Sequence, residues 1–218
     1  MGLESDTRGL IKLPIDEVKL PANILFCGMT GSGKTYCFRE LYKKYWKSHL
    51  KLTYVICPTA EFSRDYDDVI KNKAKYVLTD MNMAEYKIAE IRKLCEAMCR
   101  KNKNYPVMLI IDDCLGVIDF NSKAFCNLFA VSRHINLSIV LMMQNLTKFL
   151  CPTLRNNLSY IFVNKISDGN LKCLYELAGQ WDDYGTMKVY LRQNLVNYQT
   201  ILIDKKTIEY VEPFVFRA

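Results

Sequence analysis

The sequence predicts an α/β fold in which a mostly parallel central sheet carries helices on both faces and gains an antiparallel strand addition at its C-terminal end. Apolar, strand-like runs alternate along the chain with segments in which apolar residues recur at helical spacing. Residues 107–111 are uniformly apolar, which is typical of a parallel strand buried on both faces. The alternation of the two patterns favours a doubly wound arrangement.

The first four predicted elements come from the N-terminal third of the chain. Residues 24–27 form a short apolar run that stops at a glycine-rich segment, and residues 36–46 then carry apolar side chains at helical spacing. Residues 52–57 form a second apolar run, closed by a proline, and residues 76–78 form a short third one. These runs predict strand, helix, strand and strand.

The middle of the chain predicts two helices and two buried strands. Residues 88–98 have helical spacing, and the apolar run at 107–111 follows them. Asn121 or Ser122 can cap a helix over residues 125–129, and residues 137–143 then form another buried strand.

The C-terminal part predicts one more parallel strand, a helix and the antiparallel addition. Residues 160–163 repeat the buried-strand pattern, and residues 170–178 fit a helix that stops at Gly179. Three further segments read as strands joined by polar turns, and these are residues 187–192, 200–204 and 207–211.

Length and composition favour a single domain that spans residues 1–218. The chain is 50% hydrophobic, which is enough for one sizeable core but marginal for two. It contains no run of about 18 apolar residues, so we expect a soluble, intracellular protein with no membrane partner.

The nine cysteines are odd in number and scattered, mostly in apolar surroundings. We therefore expect reduced core thiols rather than a disulfide framework. Cys95 and Cys99 lie one helical turn apart, but no second pair or nearby histidine completes a zinc site.

The formal charge of +7 is enough to attract a polyanion. The lysines form two clusters, which are Lys43, Lys44, Lys47 and Lys51, and Lys71, Lys73 and Lys75. Such clusters are usually solvated faces, so nucleic-acid binding needs support from other features.

Residues 28–35 match the pattern G-x-x-x-x-G-K-[ST] between a predicted strand and a predicted helix. Glycines let such a loop curl so that its backbone N–H groups point at phosphates, on the positive end of the helix. Lys34 should reach the β- and γ-phosphates of ATP, and Thr35 should place its hydroxyl on Mg²⁺. The sequence therefore predicts a RecA-like P-loop NTPase. Its predicted nucleotide-binding residues are Gly28, Met29, Thr30, Gly31, Ser32, Gly33, Lys34, Thr35 and Tyr36.

Two carboxylates follow the apolar strand at 107–111, at the sheet edge where α/β proteins bind ligands. We expect Asp112 to hold Mg²⁺ through water and Asp113 to orient or deprotonate the attacking water. Asp is one methylene shorter than the Glu that hydrolytic motors more often carry here. The backbone must therefore bring the Asp113 carboxylate closer to the attacking water. The alternative is that the two residues only begin a turn or cap a helix.

Gln144 ends the predicted strand at 137–143. In P-loop ATPases with an acidic catalytic residue, this strand lies between the magnesium-aspartate strand and the phosphate-loop strand. Gln144 should then face the γ-phosphate, where an amide can sense it or position water. The alternative is an ordinary polar strand end.

These residues resemble the FtsK/HerA superfamily of DNA-pumping ATPases, and within it the poxvirus-type genome-packaging ATPases of large DNA viruses and virophages. The resemblance spans residues 24–179. It is carried by residues 28–35, 109–113, 133–137 running into 143–145, and 151–157.

The resemblance implies a homo-oligomeric ring of about five or six subunits that drives double-stranded DNA, without sequence preference, through its centre to package a viral genome. It also implies a docking partner on the capsid or portal, and action in the host-cell cytoplasm, in a virus factory or on the virion. ATP would sit between neighbouring subunits, one of which donates an arginine in trans. Arg133 is the first candidate and Arg155 the second, and both are alternatively ordinary surface arginines.

Three other classes stay open. A nucleoside or nucleotide kinase shares the loop, although the chain shows no arginine-rich lid segment. A GTPase is suggested by residues 164–167, but Ser167 replaces the guanine-binding aspartate and Asp168 comes one place late. A nucleotide-bound structural subunit is the non-enzymatic alternative.

Overall fold

The structure is a computed structural model of the chain. It describes residues 18–70, 76–114, 116–147, 151–179, 181, 183–196, 198–205 and 214–217. The predicted strand at 207–211 and the lysine cluster Lys71, Lys73 and Lys75 lie outside these residues.

An eight-stranded sheet forms the centre of the molecule, in the spatial order β3-β2-β4-β5-β1-β6-β7-β8. The strands are β1 (Asn23–Cys27), β2 (Leu52–Ile56), β3 (Val77–Leu78), β4 (Val107–Asp112), β5 (Leu137–Met143), β6 (Tyr160–Val163), β7 (Gln199–Asp204) and β8 (Phe214–Arg217). Strands β1 to β6 pair in parallel, whereas β7 is antiparallel to both β6 and β8. The predicted fold class is therefore confirmed.

Helices cover both faces of the sheet. They are α1 (Lys34–Leu41), α2 (Ala84–Arg100), α3 (Lys123–Val131), α4 (Pro152–Asn157), α5 (Asp168–Ala178) and α6 (Tyr184–Asn194). A π-helical turn, Tyr42–Trp46, extends α1.

The alternation of side chains along β1 divides the core into two layers. Ile24 and Phe26 pack with α1 on one face, whereas Leu25 and Cys27 belong to the layer on the opposite face, with buried residues of α2, α3, α5 and α6. All five residues of β1 are buried. Both faces of the strand are thus covered, as expected for a parallel sheet.

The predicted place of β5 between β4 and β1 is confirmed by its pairing with both strands. The carboxyl ends of β1, β4, β5 and β6 consequently lie side by side. This edge, which we call the carboxyl edge, carries the phosphate loop and both aspartates. The opposite edge is called the amino edge.

The prediction of a strand at residues 187–192 is wrong, because this segment belongs to α6. The sequence alternates apolar and polar residues here, but the buried residues are Met187 and Leu191, one helical turn apart, while Val189 is 56% exposed. Asp183 caps the helix by accepting hydrogen bonds from the backbone N–H groups of Gly185 and Thr186. The sequence pattern fits both a strand and a helix here, and the capping aspartate before the segment favours the helix.

Candidate functional site

The phosphate loop is fastened to the strands on both sides of β1. The backbone N–H of Gly28 donates to the carbonyl of Met143 at 3.2 Å, at the end of β5. The N–H of Met29 donates to the carbonyl of Lys165 at 2.7 Å, just after β6. The loop therefore has a fixed position at the carboxyl edge, and its far side leads directly into α1.

Three glycines shape the loop for different reasons. Gly31 and Gly33 have positive φ angles of 69° and 90°, which glycine adopts without steric cost. At Gly28 the reason is space, because a Cβ atom there would lie 2.7 Å from Ser32 Oγ and 2.9 Å from Asn164 Cβ. The loop thus curls as the sequence motif predicts.

Lys34 is the buried cation of the site, at 7% exposure. Its ammonium donates to the carbonyls of Gly28 and Met29, both at 2.9 Å, and so lies folded across the loop. Burial lowers the pKa of Lys34, while the charges of Asp112 and Asp113 act in the opposite direction. A desolvated ammonium in a glycine-rich loop at the start of a helix is suited to binding phosphate oxygens.

Asp112 ends β4 as a nearly buried carboxylate, at 6% exposure. It accepts a hydrogen bond of 2.6 Å from the hydroxyl of Tyr66. Burial raises the pKa of Asp112 to about 6, helped by the charge of Asp113, whereas the Tyr66 hydrogen bond and Lys34 lower it. Sequence reasoning missed Tyr66, which lies 46 residues from its partner in a segment without a motif.

The raised pKa of Asp112 predicts a pH-dependent stability. Between about pH 4 and pH 6 the folded chain holds a proton on Asp112 that the unfolded chain has released, so the free energy of unfolding should fall as pH rises through this window, by about 3 kcal/mol. Urea unfolding across the window would measure this fall. We expect Asp112→Asn to abolish the Asp112 contribution and Tyr66→Phe to extend the window to higher pH. An unchanged pH profile in Asp112→Asn would contradict the assignment.

A chain of side-chain hydrogen bonds joins the phosphate loop to β4. The Thr30 hydroxyl donates to Gln144 Oε1 at 2.7 Å, and Gln144 Nε2 donates to Asp113 Oδ1 at 2.8 Å. Asp113 has a positive φ of 52°, a conformation that Asp tolerates better than most residues. The structure therefore brings together Asp113 and Gln144, as the sequence predicts, and adds Thr30 as the link to the loop.

Two buried asparagines support the site from behind. Asn164, fully buried after β6, donates to the Ser32 carbonyl at 3.3 Å and to Thr200 Oγ1 at 2.8 Å. Asn170 accepts from the Leu146 N–H and donates to the Gln144 carbonyl, both within 2.9 Å, and so holds the end of β5. Asn164 was noticed in the sequence only as part of a guanine-binding pattern. The signal in the sequence that could have indicated its role is its position, because Asn164 is a polar residue directly after the apolar strand β6.

A cavity of 690 Å³ opens on the other side of the phosphate loop. Met29, Thr30, Ile166, Leu191 and Tyr198 are among the residues that line it. Apolar walls of this kind suit the base and sugar of a nucleotide whose phosphates lie on the loop. Tyr36 projects from the first turn of α1 and is 55% exposed, and its contribution to binding stays a prediction.

The two candidate arginines lie at the amino edge, away from the chain's own phosphate loop. Arg133 precedes β5 and donates to Asn157 Oδ1 at 3.4 Å. Arg155 is in α4, before β6, and pairs with Glu176 at 3.4 Å. The seven residues of β5 separate Arg133 from Gln144 by about 20 Å. Arg133 is therefore out of reach of the phosphate loop of its own chain.

The described residues fit a nucleotide with a magnesium ion. Ser32 Oγ, in the phosphate loop, is buried without a hydrogen-bond partner among the described residues, as a group that awaits a phosphate oxygen would be. The described part of the chain contains no cluster of three or more histidine, cysteine or acidic residues that could hold a metal ion alone. A site with Thr35 and Asp112 as its protein groups, completed by phosphate and water oxygens, suits Mg²⁺, which retains several waters.

A glycine loop between β1 and α1, a buried lysine and an aspartate at the end of β4 define a P-loop NTPase of RecA-like fold. The chain belongs to the Poxvirus A32 protein family, whose match covers residues 16–209. The resemblance to the poxvirus-type packaging ATPases is thus confirmed. Among curated protein sequences no significant match is found.

Solved structures share the fold. The genome packaging NTPase B204 of Sulfolobus turreted icosahedral virus 2, in complex with AMPPCP, has a TM-score of 0.61 at 19% identity, over 90% of this chain and 96% of that one. VirB4 of Thermoanaerobacter pseudethanolicus has a TM-score of 0.59 at 11% identity, over 99% and 95% of the two chains. The type VII secretion ATPase EccC of Thermomonospora curvata has a TM-score of 0.65 at 15% identity, over 98% of this chain and 27% of its cytoplasmic domain.

Proposed function

We propose that the chain is an ATP-hydrolysing motor that translocates double-stranded DNA and packages a viral genome into a preformed capsid. The observation that carries the hydrolytic part of this proposal is the hydrogen-bond chain from Thr30 through Gln144 to Asp113, which joins a carboxylate to the phosphate loop. Membership of the Poxvirus A32 protein family supports the viral setting. The similar fold of a genome packaging NTPase in complex with AMPPCP supports ATP as the ligand.

Each residue of the site has a role in this proposal. Bound ATP and Mg²⁺ would supply the phosphoryl group and neutralise charge on its oxygens. Lys34 would turn its ammonium from the loop carbonyls to the phosphates, and Asp112 with Thr35 would hold the metal. Asp113 would accept a proton from the attacking water. The oxygen of that water would bond to the γ-phosphorus while the bond between this phosphorus and ADP breaks. Gln144 keeps Asp113 and Thr30 in a fixed relation during this step.

The first test measures phosphate release from ATP with and without duplex DNA. We expect magnesium-dependent release that duplex DNA stimulates. Tight ATP binding without turnover in either case would favour a structural subunit, and transfer of phosphate to a nucleoside or nucleotide would favour a kinase. Either result would contradict the proposal that the chain is a DNA-translocating motor. Native mass measured with ATP and Mg²⁺ is expected to show a ring, whereas a lasting monomer would favour the kinase.

We further propose that Arg133 acts in the site of a neighbouring subunit, because within one chain it lies at the edge opposite the phosphate loop. Arg133→Ala subunits should then bind ATP normally but fail to hydrolyse it. Mixing them with Lys34→Ala subunits should restore activity, since roughly a quarter of the interfaces in a random ring would pair an intact loop with an intact arginine. Arg155→Ala in the same assay tests the second candidate.

The outcome that would contradict action in trans is equally clear. If each variant assembles and the mixture still releases no phosphate, Arg133 is not donated across the interface. Full activity of Arg133→Ala alone would also remove the residue from this role. The native mass of each variant serves as the control for assembly.

The proposed place of action is the host-cell cytoplasm, a virus factory or the virion, with a component of the capsid or portal as the docking partner. Among the helices in the described ranges, none is both long and apolar enough to cross a membrane.

A further inference from the structure

The segments that lead into the parallel strands carry positive charge without acidic residues. Five of these segments lie within the described residues, and they are residues 18–22, 47–51, 101–106, 132–136 and 158–159, which enter β1, β2, β4, β5 and β6. Their charged side chains are Lys19, Lys47, Lys51, Lys101, Lys103 and Arg133, and neither Asp nor Glu occurs among them. Because all five strands are parallel, these cations share the amino edge.

The carboxyl edge carries acidic residues beside its cations Lys34 and Lys165. Residues 57–70, which follow β2, contain four acidic residues and only Arg64 as a cation. Asp112, Asp113 and Asp119 lie at the end of β4 and after it. Among the described residues, the segments that enter the parallel strands thus hold cations without acidic residues, whereas the carboxyl edge holds both signs of charge.

The densest part of the amino edge lies before two neighbouring strands. We call Lys47, Lys51, Lys101 and Lys103 the amino-edge patch. All four side chains are exposed, and none of them has an ion-pair partner in the part of the chain that the structure describes.

The two loops that carry the patch are joined through their backbones. The N–H of Lys51 donates to the carbonyl of Pro106 at 2.8 Å, and Leu52 pairs with Val107 in the register of β2 and β4. Neighbouring strands are about 4.8 Å apart, so four like charges gather within a small area. A polyanion would relieve their mutual repulsion and release its own counterions.

The side chains around the patch favour a duplex over a single strand. Besides the lysines, the two loops expose Ser48, His49, Asn102 and Asn104, and their one Phe, Tyr or Trp residue, Tyr105, is half-buried against the core. Proteins that bind single strands usually offer exposed aromatic rings on which bases stack. Lysines and amides without such rings match the phosphate backbone of duplex DNA, which carries a charge about every 1.7 Å along its axis.

We propose that the amino-edge patch is the surface that binds the phosphate backbone of double-stranded DNA. This inference rests on the proposed DNA motor and names the surface it would use. Strands of five to seven residues, about 17 to 23 Å long, separate the patch from the phosphate loop. Within one chain, DNA and the chain's own ATP would thus lie at opposite edges of the sheet, and Arg133, which we propose acts in the neighbour's site, is not part of the patch.

The test compares two variants with the same change in net charge. The first replaces Lys51, Lys101 and Lys103 with glutamine, and the control replaces Lys93, Lys123 and Lys172, which are exposed lysines on helices. Binding of a fluorescein-labelled DNA duplex is measured by anisotropy over a range of salt concentrations, with an ATP analogue and Mg²⁺ present.

We expect the patch variant to lose at least about tenfold in affinity, with a salt slope lower by about 2 to 3, because each lost phosphate contact lowers the slope by about 0.9. The control variant should bind like the original chain. Basal phosphate release without DNA should be unchanged in both variants, since none of these lysines lies in the nucleotide site.

Equal losses in both variants, or none in the patch variant, would overturn the proposal. The same holds if the original chain binds vesicles of phosphatidylcholine and phosphatidylserine, or single strands, through the patch in preference to the duplex. If DNA still stimulates hydrolysis in the patch variant, the proposal that the patch binds DNA is wrong, whereas the proposal of a DNA motor is retained. If the patch binds the duplex but the chain does not hydrolyse ATP, the proposal of a DNA motor is wrong, whereas the proposal that the patch binds DNA is retained.

Discussion

Lys34→Ala is expected to abolish ATP hydrolysis and to weaken nucleotide binding by about 100-fold or more. The reason is the position of the ammonium, which is buried and held by the carbonyls of Gly28 and Met29 inside the phosphate loop. Hydrogen bonds from a charged donor contribute about 1.5 to 3 kcal/mol each, and 2.7 kcal/mol corresponds to a factor of about 100 in affinity. Titration with a fluorescent ATP analogue and a phosphate-release assay would measure both effects.

The matched control is Lys172→Ala, which removes an exposed lysine on α5. It should leave binding and hydrolysis unchanged. A thermal unfolding curve should show that Lys34→Ala remains folded, because the variant loses one side chain from a loop whose backbone is fastened at Gly28 and Met29. Near-normal ATP affinity in folded Lys34→Ala would contradict the proposed site.

The parts of the candidate site that the sequence could predict are contiguous or follow a strand. The loop at residues 28–35 is a local pattern, and Asp112, Asp113 and Gln144 each stand where an apolar run ends. Once the strand order was expected to place β5 between β1 and β4, their proximity followed, because the carboxyl ends of parallel strands share one edge. The hydrogen bond between Gln144 and Asp113 agrees with that reasoning.

The supporting residues could not be predicted because their partners are remote in sequence. Tyr66 lies 46 residues from Asp112, and Asn164 lies 132 residues from Ser32. Nothing in a local pattern indicates such a contact, which depends on how whole segments pack. The same applies to the cavity beside the loop, since part of its lining comes from α6, a helix where the sequence had predicted a strand.

The spacing of apolar residues explains why residues 187–192 were predicted as a strand although they belong to the helix α6. Residues 187, 189 and 191 are apolar, a spacing of two that fits a half-buried strand. The structure instead buries every fourth residue, because the helix is capped at Asp183 and packs only its Met187 and Leu191 side against the core. Short segments of this kind satisfy both periods, so the choice is made by capping and packing rather than by the pattern itself.

Asp113→Asn is expected to keep ATP binding and lose turnover by about 100-fold or more, the usual contribution of a general base. Asparagine retains an oxygen that can accept the hydrogen bond from Gln144 Nε2, and it also tolerates the positive φ of 52° at this position. The hydrogen-bond chain to Thr30 should therefore survive, and with it the shape of the site. What the substitution removes is the carboxylate that can accept a proton from water.

The measurement for Asp113→Asn is a comparison of ATP affinity with single-turnover phosphate release. A useful control is Thr30→Val, which breaks the chain at its other end without touching the carboxylate. If positioning alone matters, Thr30→Val should lose turnover, whereas Asp113→Asn, which keeps the hydrogen-bond chain, should retain it. If Asp113 is the base, only Asp113→Asn should suffer the large loss, because the carboxylate of Thr30→Val still accepts a proton and has lost only its fixed orientation. Turnover at the original rate in Asp113→Asn would remove Asp113 from the reaction altogether and leave its hydrogen bond to Gln144 as a structural contact.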